Sequence, residues 1–272
     1  MPYRFHNDWR AMAAIIYDRP AEGRVFGDLD FDVEATQIYI KQRRQEGQRL
    51  SITPFIVAGI ARTIAEDCPS LNVYLLRGRV RSRESVDVMV PVDVKGQSVS
   101  AVKIRNADTK TVTEIAEEIR AKTTDREALA RTGVSRRSPL LYLPWFMRKP
   151  IFRVLRWLAL DLGIPMKPLG LHRNLLGSVM ITNIGVFGLN TGFAALMPAA
   201  NLPLVIASGT VTRMPRVLDD EICIRHILPI TATVDHRLFD GSHLGALAQG
   251  LRRRLEDPES LDSAPSAPPE ET

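Results

Sequence analysis

Two cysteines in 272 residues, Cys68 and Cys223, stand alone in the chain, with no second cysteine near either. Their isolation excludes a disulfide framework, a paired-cysteine metal site and a redox pair, and both are expected to be buried apolar fillers in a reduced, cytoplasmic setting. No charge-free apolar run is long enough to cross a bilayer, and Met1 to Trp9 lacks the continuous apolar core of a signal peptide. The expectation is a soluble protein, with peripheral attachment to a membrane surface as the outer limit. Internal repeats are absent. The 18 prolines and 17 glycines are spread along the chain, apart from its end, and so punctuate elements without forming a low-complexity linker.

With 45% hydrophobic and 25% charged residues, the composition is that of a globular chain able to bury a large core in one or two domains. The net charge of +5 is modest but unevenly placed. Arg131 to Arg173 holds nine Lys or Arg and one acid, Asp161, a local +8 that leaves the rest of the chain at −3. Such asymmetry points to an anionic partner: lipid, nucleic acid, a phosphate-bearing cofactor or an acidic carrier protein.

Along the chain, Val25 to Phe31 reads as a strand, followed by a helix with Ile38 and Ile40 inward. Ser51 or Thr53 caps the next helix, with Pro54 in its first turn, and that helix ends near Cys68-Pro69. Short strands follow over Leu71 to Leu76, Arg79 to Arg83, Ser85 to Val94 and Ser98 to Ile104, then a helix opened by Thr113 and Glu114. From about 137 to 172 the sequence is apolar and basic, with Lys149, Arg153 and Arg156 on one face of an amphipathic helix. Strands at Ser178 to Ile181, Leu204 to Thr210, Ile222 to Ile230 and Thr231 to Val234 precede a closing helix, Ser242 to Leu255. Residues 257–272, rich in Pro, Ser and acids, read as a disordered tail. Strands and helices mix without regular alternation, which predicts an α+β fold for a domain over 1–256.

His236 lies between a strand-like run and Asp240-Gly241, where a helix begins. A strand end can aim a histidine into a cleft, and an imidazole titrates near neutrality, which suits proton abstraction from a thiol or hydroxyl. Spacing alone leaves a surface or ion-paired histidine equally open. His243, seven residues on, is expected to be a helix-surface residue, because too few ligands accompany it for a metal. Gly185-Val186-Phe187-Gly188 is no phosphate loop, for it lacks the Lys-Ser/Thr partner. Taken alone, Thr182 reads as a packed strand threonine.

The stretch Val234-Asp235-His236-Arg237-Leu238-Phe239-Asp240-Gly241 resembles the signature of the catalytic domain of 2-oxoacid dehydrogenase acyltransferases, in the chloramphenicol acetyltransferase-like superfamily. Val179 to Gly188 resembles that family's Ser/Thr-Asn strand and glycine turn, and Leu50 to Asn72 its first long helix with a proline-x-x-asparagine ending. The resemblance implies a two-layer sandwich with a mixed sheet and packed helices, and direct acyl transfer between thioester and thiol, or hydroxyl, with coenzyme A as substrate and no metal. It implies His236 as general base, Thr182 as the hydroxyl that hydrogen-bonds the oxyanion, and Asp240 as the residue that holds the turn. It also implies a homotrimer in which histidine and hydroxyl meet across a subunit boundary.

The chain departs from the family in three ways. Neither a lipoyl nor a subunit-binding domain precedes the catalytic blocks, so a lipoyl or carrier-protein donor is expected in trans and the enzyme is expected to stand alone. Gly96 to Ala101 replaces the family's glycine-leucine-x-x-proline strand, which leaves donor specificity open. The basic aromatic segment, with Trp145 and Trp157, replaces a shorter polar connection. Two other readings therefore stand beside the enzyme: a non-catalytic trimeric scaffold, and an acyltransferase held at an anionic membrane by residues 143–160 and acting on a lipid or carrier-bound acyl group. No nucleic-acid partner is expected.

Overall fold

The computed structural model describes residues 23–94, 98–124, 139–164, 176–197 and 201–264. In chain order these form β1 (Arg24–Asp32), α1 (Glu34–Gln45), α2 (Ile52–Arg62), β2 (Val73–Leu76), β3 (Arg79–Ser82), β4 (Val88–Val94), β5 (Ser98–Ile104) and α3 (Val112–Thr124). Then come α4 (Trp145–Arg156), β6 (Val179–Asn183), β7 (Leu204–Ser208), β8 (Thr212–Leu218), β9 (Glu221–Asp235), α5 (Gly241–Glu256) and α6 (Pro258–Asp262). Seven strands make one mixed sheet in the order β1-β9-β7-β6-β4-β5, with β8 paired to the first half of β9. The pairs β4/β6 and β6/β7 are parallel and the other ladders antiparallel.

Alternation along the strands separates two faces. Val88 and Val90, Val179 and Ile181, Leu204 and Ile206, and Leu228 and Ile230 turn to one side, where they meet Phe55, Ile56 and Ile60 of α2, Ile115 of α3 and Leu247 and Leu251 of α5 in the main core. Helix α2 lies at the centre of this layer. Every residue from Pro54 to Arg62 is buried, as its nearly unbroken apolar sequence requires. It crosses α5 closely at Gly59, where an added Cβ would lie 2.8 Å from Leu251 Cδ1. On the opposite face Met89, Met180 and Val205 pack with Leu176, Leu196 and Leu202.

The expected α+β sandwich is therefore present, with local corrections. Ile38 and Ile40 cannot both point inward, because residues two apart on a helix diverge by roughly 200°; Ile40 is buried and Ile38 is 61% exposed. The two strands expected between Ile222 and Val234 are one continuous strand, and β8 had no counterpart in the sequence reading. Cys68 is buried, whereas Cys223, near the start of β9, is only half-buried.

The tail reading fails over its first part. Residues 257–264 are ordered: Pro258 opens α6, Asp257 accepts a hydrogen bond from Ser260 N–H, and Leu261 is fully buried. Composition hid this because the anchor lies elsewhere in sequence. The guanidinium of Arg62 donates to the carbonyls of Ser260, Leu261 and Ser263 at 2.6, 3.1 and 2.8 Å, and to that of Lys110 at 3.1 Å. Asp262 in turn accepts from Tyr39 and Thr113 hydroxyls at 2.9 and 2.8 Å. Residues 265–272 lie outside the described ones.

Candidate active site

Strand β9 ends at Asp235, and a turn over His236 to Leu238 leads to the start of α5. Backbone bonds fix that turn. The N–H groups of Leu238 and Phe239 donate to Asp235 O at 3.0 and 3.1 Å, Asp235 N–H to Pro203 O at 2.9 Å, and His236 N–H to Gly23 O at 2.8 Å. Phe239 plugs into the main core and anchors the turn from beneath. Arg237 folds back on Asp235, its Nε and Nη2 donating to the carboxylate at 2.9 and 2.5 Å, and this bond raises the guanidinium's pKa further.

The exposed ring of His236 is oriented by its own turn. Nδ1 lies 2.6 Å from the carbonyl oxygen of Phe239. A carbonyl only accepts, so Nδ1 carries the hydrogen and the neutral ring keeps its lone pair on Nε2. That is the tautomer a general base needs, with Nε2 free to take a proton. The sequence reading placed the histidine but not its orienter, because a main-chain carbonyl leaves no mark in side-chain identity.

Asp240 caps α5. Its carboxylate accepts from Ser242 N–H and hydroxyl at 3.0 and 2.6 Å and from His243 N–H at 3.2 Å. The bonds to Ser242 and then those to His243 hold its pKa far below the usual carboxylate range. His243 Nδ1 stands 2.7 Å from Asp240 Oδ1 and 3.4 Å from Asp240 N–H. One nitrogen cannot donate to the first and accept from the second, and the short contact to an ionised carboxylate decides that it donates. His243 is thus tied into the helix N-terminus, and Asp240 Oδ1 is the atom that caps it.

Thr182 sits half-buried on β6, on the sheet face opposite the helix layer, beside Ala207 of β7 and, one strand further, Thr231 of β9. Among the described residues its hydroxyl makes no hydrogen bond to another side chain or backbone group. The next residue, Asn183, donates from Nδ2 to Thr53 Oγ1 at 3.1 Å, while its Oδ1 is buried without a partner. Thr53 is therefore tied to the site strand and not to a helix cap: Ser51 is the N-cap residue, and no side chain caps α2.

Within one chain the histidine and the threonine are not brought together. Val234 pairs with Leu204 while Thr182 pairs with Ala207, so the two groups lie two strands and about five residues of rise apart, about 15 to 20 Å. A cleft of about 290 Å³ opens instead beside the His236 turn, lined by Arg24, Leu75, Met197, Asn201, Asp235 and Arg237 among others. Its mixed polar and apolar wall is not a long apolar tunnel. Helix α4 reaches it only indirectly, through Met197, against which Leu140 and Phe152 pack. Clusters of metal-ligating side chains are absent among the described residues.

A seven-stranded mixed sheet backed by one helix layer, with a histidine presented at a strand end, defines an α+β architecture shared with chloramphenicol acetyltransferase. A solved structure of that enzyme overlays with a TM-score of 0.50 at 12% identity, covering 86% of this chain and 88% of the other. The chain belongs to the 2-oxoacid dehydrogenases acyltransferase (catalytic domain) family, whose model matches residues 30–132 and 173–262. The acetyltransferase component of the pyruvate dehydrogenase complex of Zymomonas mobilis is 24% identical over 77% of this chain, and the matched region spans only 38% of that protein. Dihydrolipoamide acetyltransferase of Azotobacter vinelandii, solved in a study of a serine, a histidine and an asparagine in its catalytic mechanism, has a TM-score of 0.61 at 16% identity, covering 88% of this chain and 83% of the other. The matched blocks leave out 133–172, the basic aromatic segment.

Proposed function

We propose that this chain is the catalytic core of an acyltransferase that moves an acyl group directly between coenzyme A and a thiol or hydroxyl acceptor. The observation that carries the proposal is the His236 Nδ1 bond to the Phe239 carbonyl, which puts the neutral ring's hydrogen on Nδ1 and its lone pair on Nε2 at the end of β9. Nε2 takes the proton from the incoming thiol. The thiolate sulfur then attacks the thioester carbonyl, whose π electrons move to oxygen, and the oxyanion is met by the Thr182 hydroxyl. Collapse expels the first thiolate, which recovers the proton from His236. The acyl group passes directly from donor to acceptor, so no acyl-enzyme forms and no nucleophilic serine or cysteine is required.

Because His236 and Thr182 lie about 15 to 20 Å apart in one chain, the proposal includes a homotrimer in which they face each other across a subunit boundary. Asp240 acts as the positioning residue that fixes the start of α5 behind the histidine turn. The histidine and asparagine named for the Azotobacter enzyme are four residues apart, as are His236 and Asp240, so Asp240 stands where that enzyme has the asparagine.

Acyl transfer from acetyl-CoA to dihydrolipoamide tests the reading. The His236→Ala variant is expected to lose roughly 10²- to 10⁴-fold in kcat while keeping its fold. Turnover equal to wild type would remove His236 as the base, whereas a wild type without turnover would leave the scaffold reading in possession of the fold.

A further inference from the structure

Helix α4 and its flanks belong to the segment the family model leaves unmatched, and this segment has two apolar faces where a surface helix has one. The inner face is accounted for: Phe152 and Leu140 are buried, with Leu143, Ile151 and Leu155 packed around them on Met197. The outer face is not. Phe146, Pro150, Val154 and Trp157 follow one another at helical spacing and form a stripe that faces away from the protein, with Phe146 60% and Trp157 52% exposed. Trp145, 80% exposed, and Tyr142 extend the apolar surface at the helix's N-terminal end.

The helix's own charges are of one sign. Exposed Lys149 and Arg153 border it, Arg148 and Arg156 lie farther round the helix, and no acidic residue occurs between Pro139 and Leu160. No helix among the described residues is long and apolar enough to cross a membrane. Tryptophan and tyrosine beside basic side chains on a short amphipathic helix match a bilayer interface, where rings enter the headgroup boundary and cations meet lipid phosphates and carboxylates. A two-fold pairing of the stripe with its own copy is a poor match, since it would set cation against cation, and contact with a different face of a trimer neighbour is an outcome the test separates.

We infer that the outer face of α4 docks this protein on an anionic lipid surface, the helix lying in the plane of the interface with Phe146, Val154 and Trp157 inserted. Docking stands independently of acyl transfer. It also places the membrane on the side of the molecule from which α4, through Met197, supports the cleft beside His236.

The test is co-sedimentation of the full chain with vesicles of phosphatidylcholine alone or mixed with phosphatidylserine, scored by bound protein and without reference to turnover. Wild type is expected to bind the phosphatidylserine vesicles at low salt, to leave them as salt rises, and to shift its tryptophan emission to the blue when bound. Lys149→Glu and, separately, Phe146→Ser with Trp157→Ser are each expected to weaken binding roughly tenfold or more. All three positions are exposed, so circular dichroism should match wild type. Absence of wild-type binding at low salt overturns the inference, as does binding unchanged in both variants. A wild type that ignores vesicles but changes oligomeric state in the variants overturns it in favour of a second copy as the occupant.

Discussion

Replacing Arg62 with methionine isolates the contact that holds the chain's last helix. The methionine fills similar space but removes the donors that reach four carbonyls, three of them at the C-terminal end of α6. Charged hydrogen bonds contribute about 1.5–3 kcal/mol each when measured singly, yet four bonds from one guanidinium do not add. Burial also opposes the charge, lowering the Arg62 pKa chiefly by desolvation, and an uncharged methionine side chain would escape that cost. The net loss expected is about 2–4 kcal/mol, set by carbonyls left without donors in a part-buried site. Urea unfolding reads the total and hydrogen exchange reads the location, with amides of α6 and the first turn of α3 losing protection first. A change under about 1 kcal/mol, or α6 amides as protected as in wild type, would refute the account of how the C-terminal segment is held.

Two further substitutions probe the supports of the site strand. At Gly177, which precedes β6 with φ +82°, an added Cβ would lie 2.4 Å from the Asp87 carbonyl oxygen; Gly177→Ala should cost about 2–4 kcal/mol in thermal or urea unfolding, and an unchanged midpoint would contradict the close approach. Asp87 is drawn the other way from its burial: desolvation alone raises its pKa, but the 2.9 Å ion pair with Lys103 and the Asn106 N–H bond outweigh it and place it below the ordinary 3.8. Its contribution is therefore full above pH 3.8 and lost as pH falls through the lower folded value, so the destabilisation of Lys103→Met should be constant from neutrality to about pH 4 and shrink below it. A gap that widens in acid would reverse the assignment.

The sequence put the candidate side chains in view and left their geometry hidden. Strand periodicity and the apolar run of α2 pointed to an α+β fold, the family resemblance implied its two layers, and the blocks around His236, Thr182 and Asp240 made those residues candidates. The reason the proline-x-x-asparagine block ends in asparagine appears only in three dimensions: Asn72 accepts from Ser178 Oγ at 2.6 Å and donates to Ser85 O at 3.2 Å, tying the connection before β4 to the start of β6. Contacts between residues distant in sequence were equally invisible. Arg62 lies 198 positions from Ser260, and no local pattern marks α6 as anchored. The Phe239 carbonyl had no sequence signal beyond its place three residues after the histidine, and Ile38 was misplaced because a two-residue spacing was read on a helix.

The central claim is that His236 of one subunit works with Thr182 of another. The direct measurement is to unfold His236→Ala and Thr182→Val chains together, refold them as a mixture, and assay acetyl transfer from acetyl-CoA to dihydrolipoamide beside each variant alone. Each variant alone should be severely impaired, the threonine change by roughly 10²- to 10³-fold. Random mixing in a trimer gives about a quarter of the boundaries an intact histidine facing an intact threonine, so activity should return to about one quarter of wild type. A refolded mixture no more active than the average of its two parents would contradict the shared site.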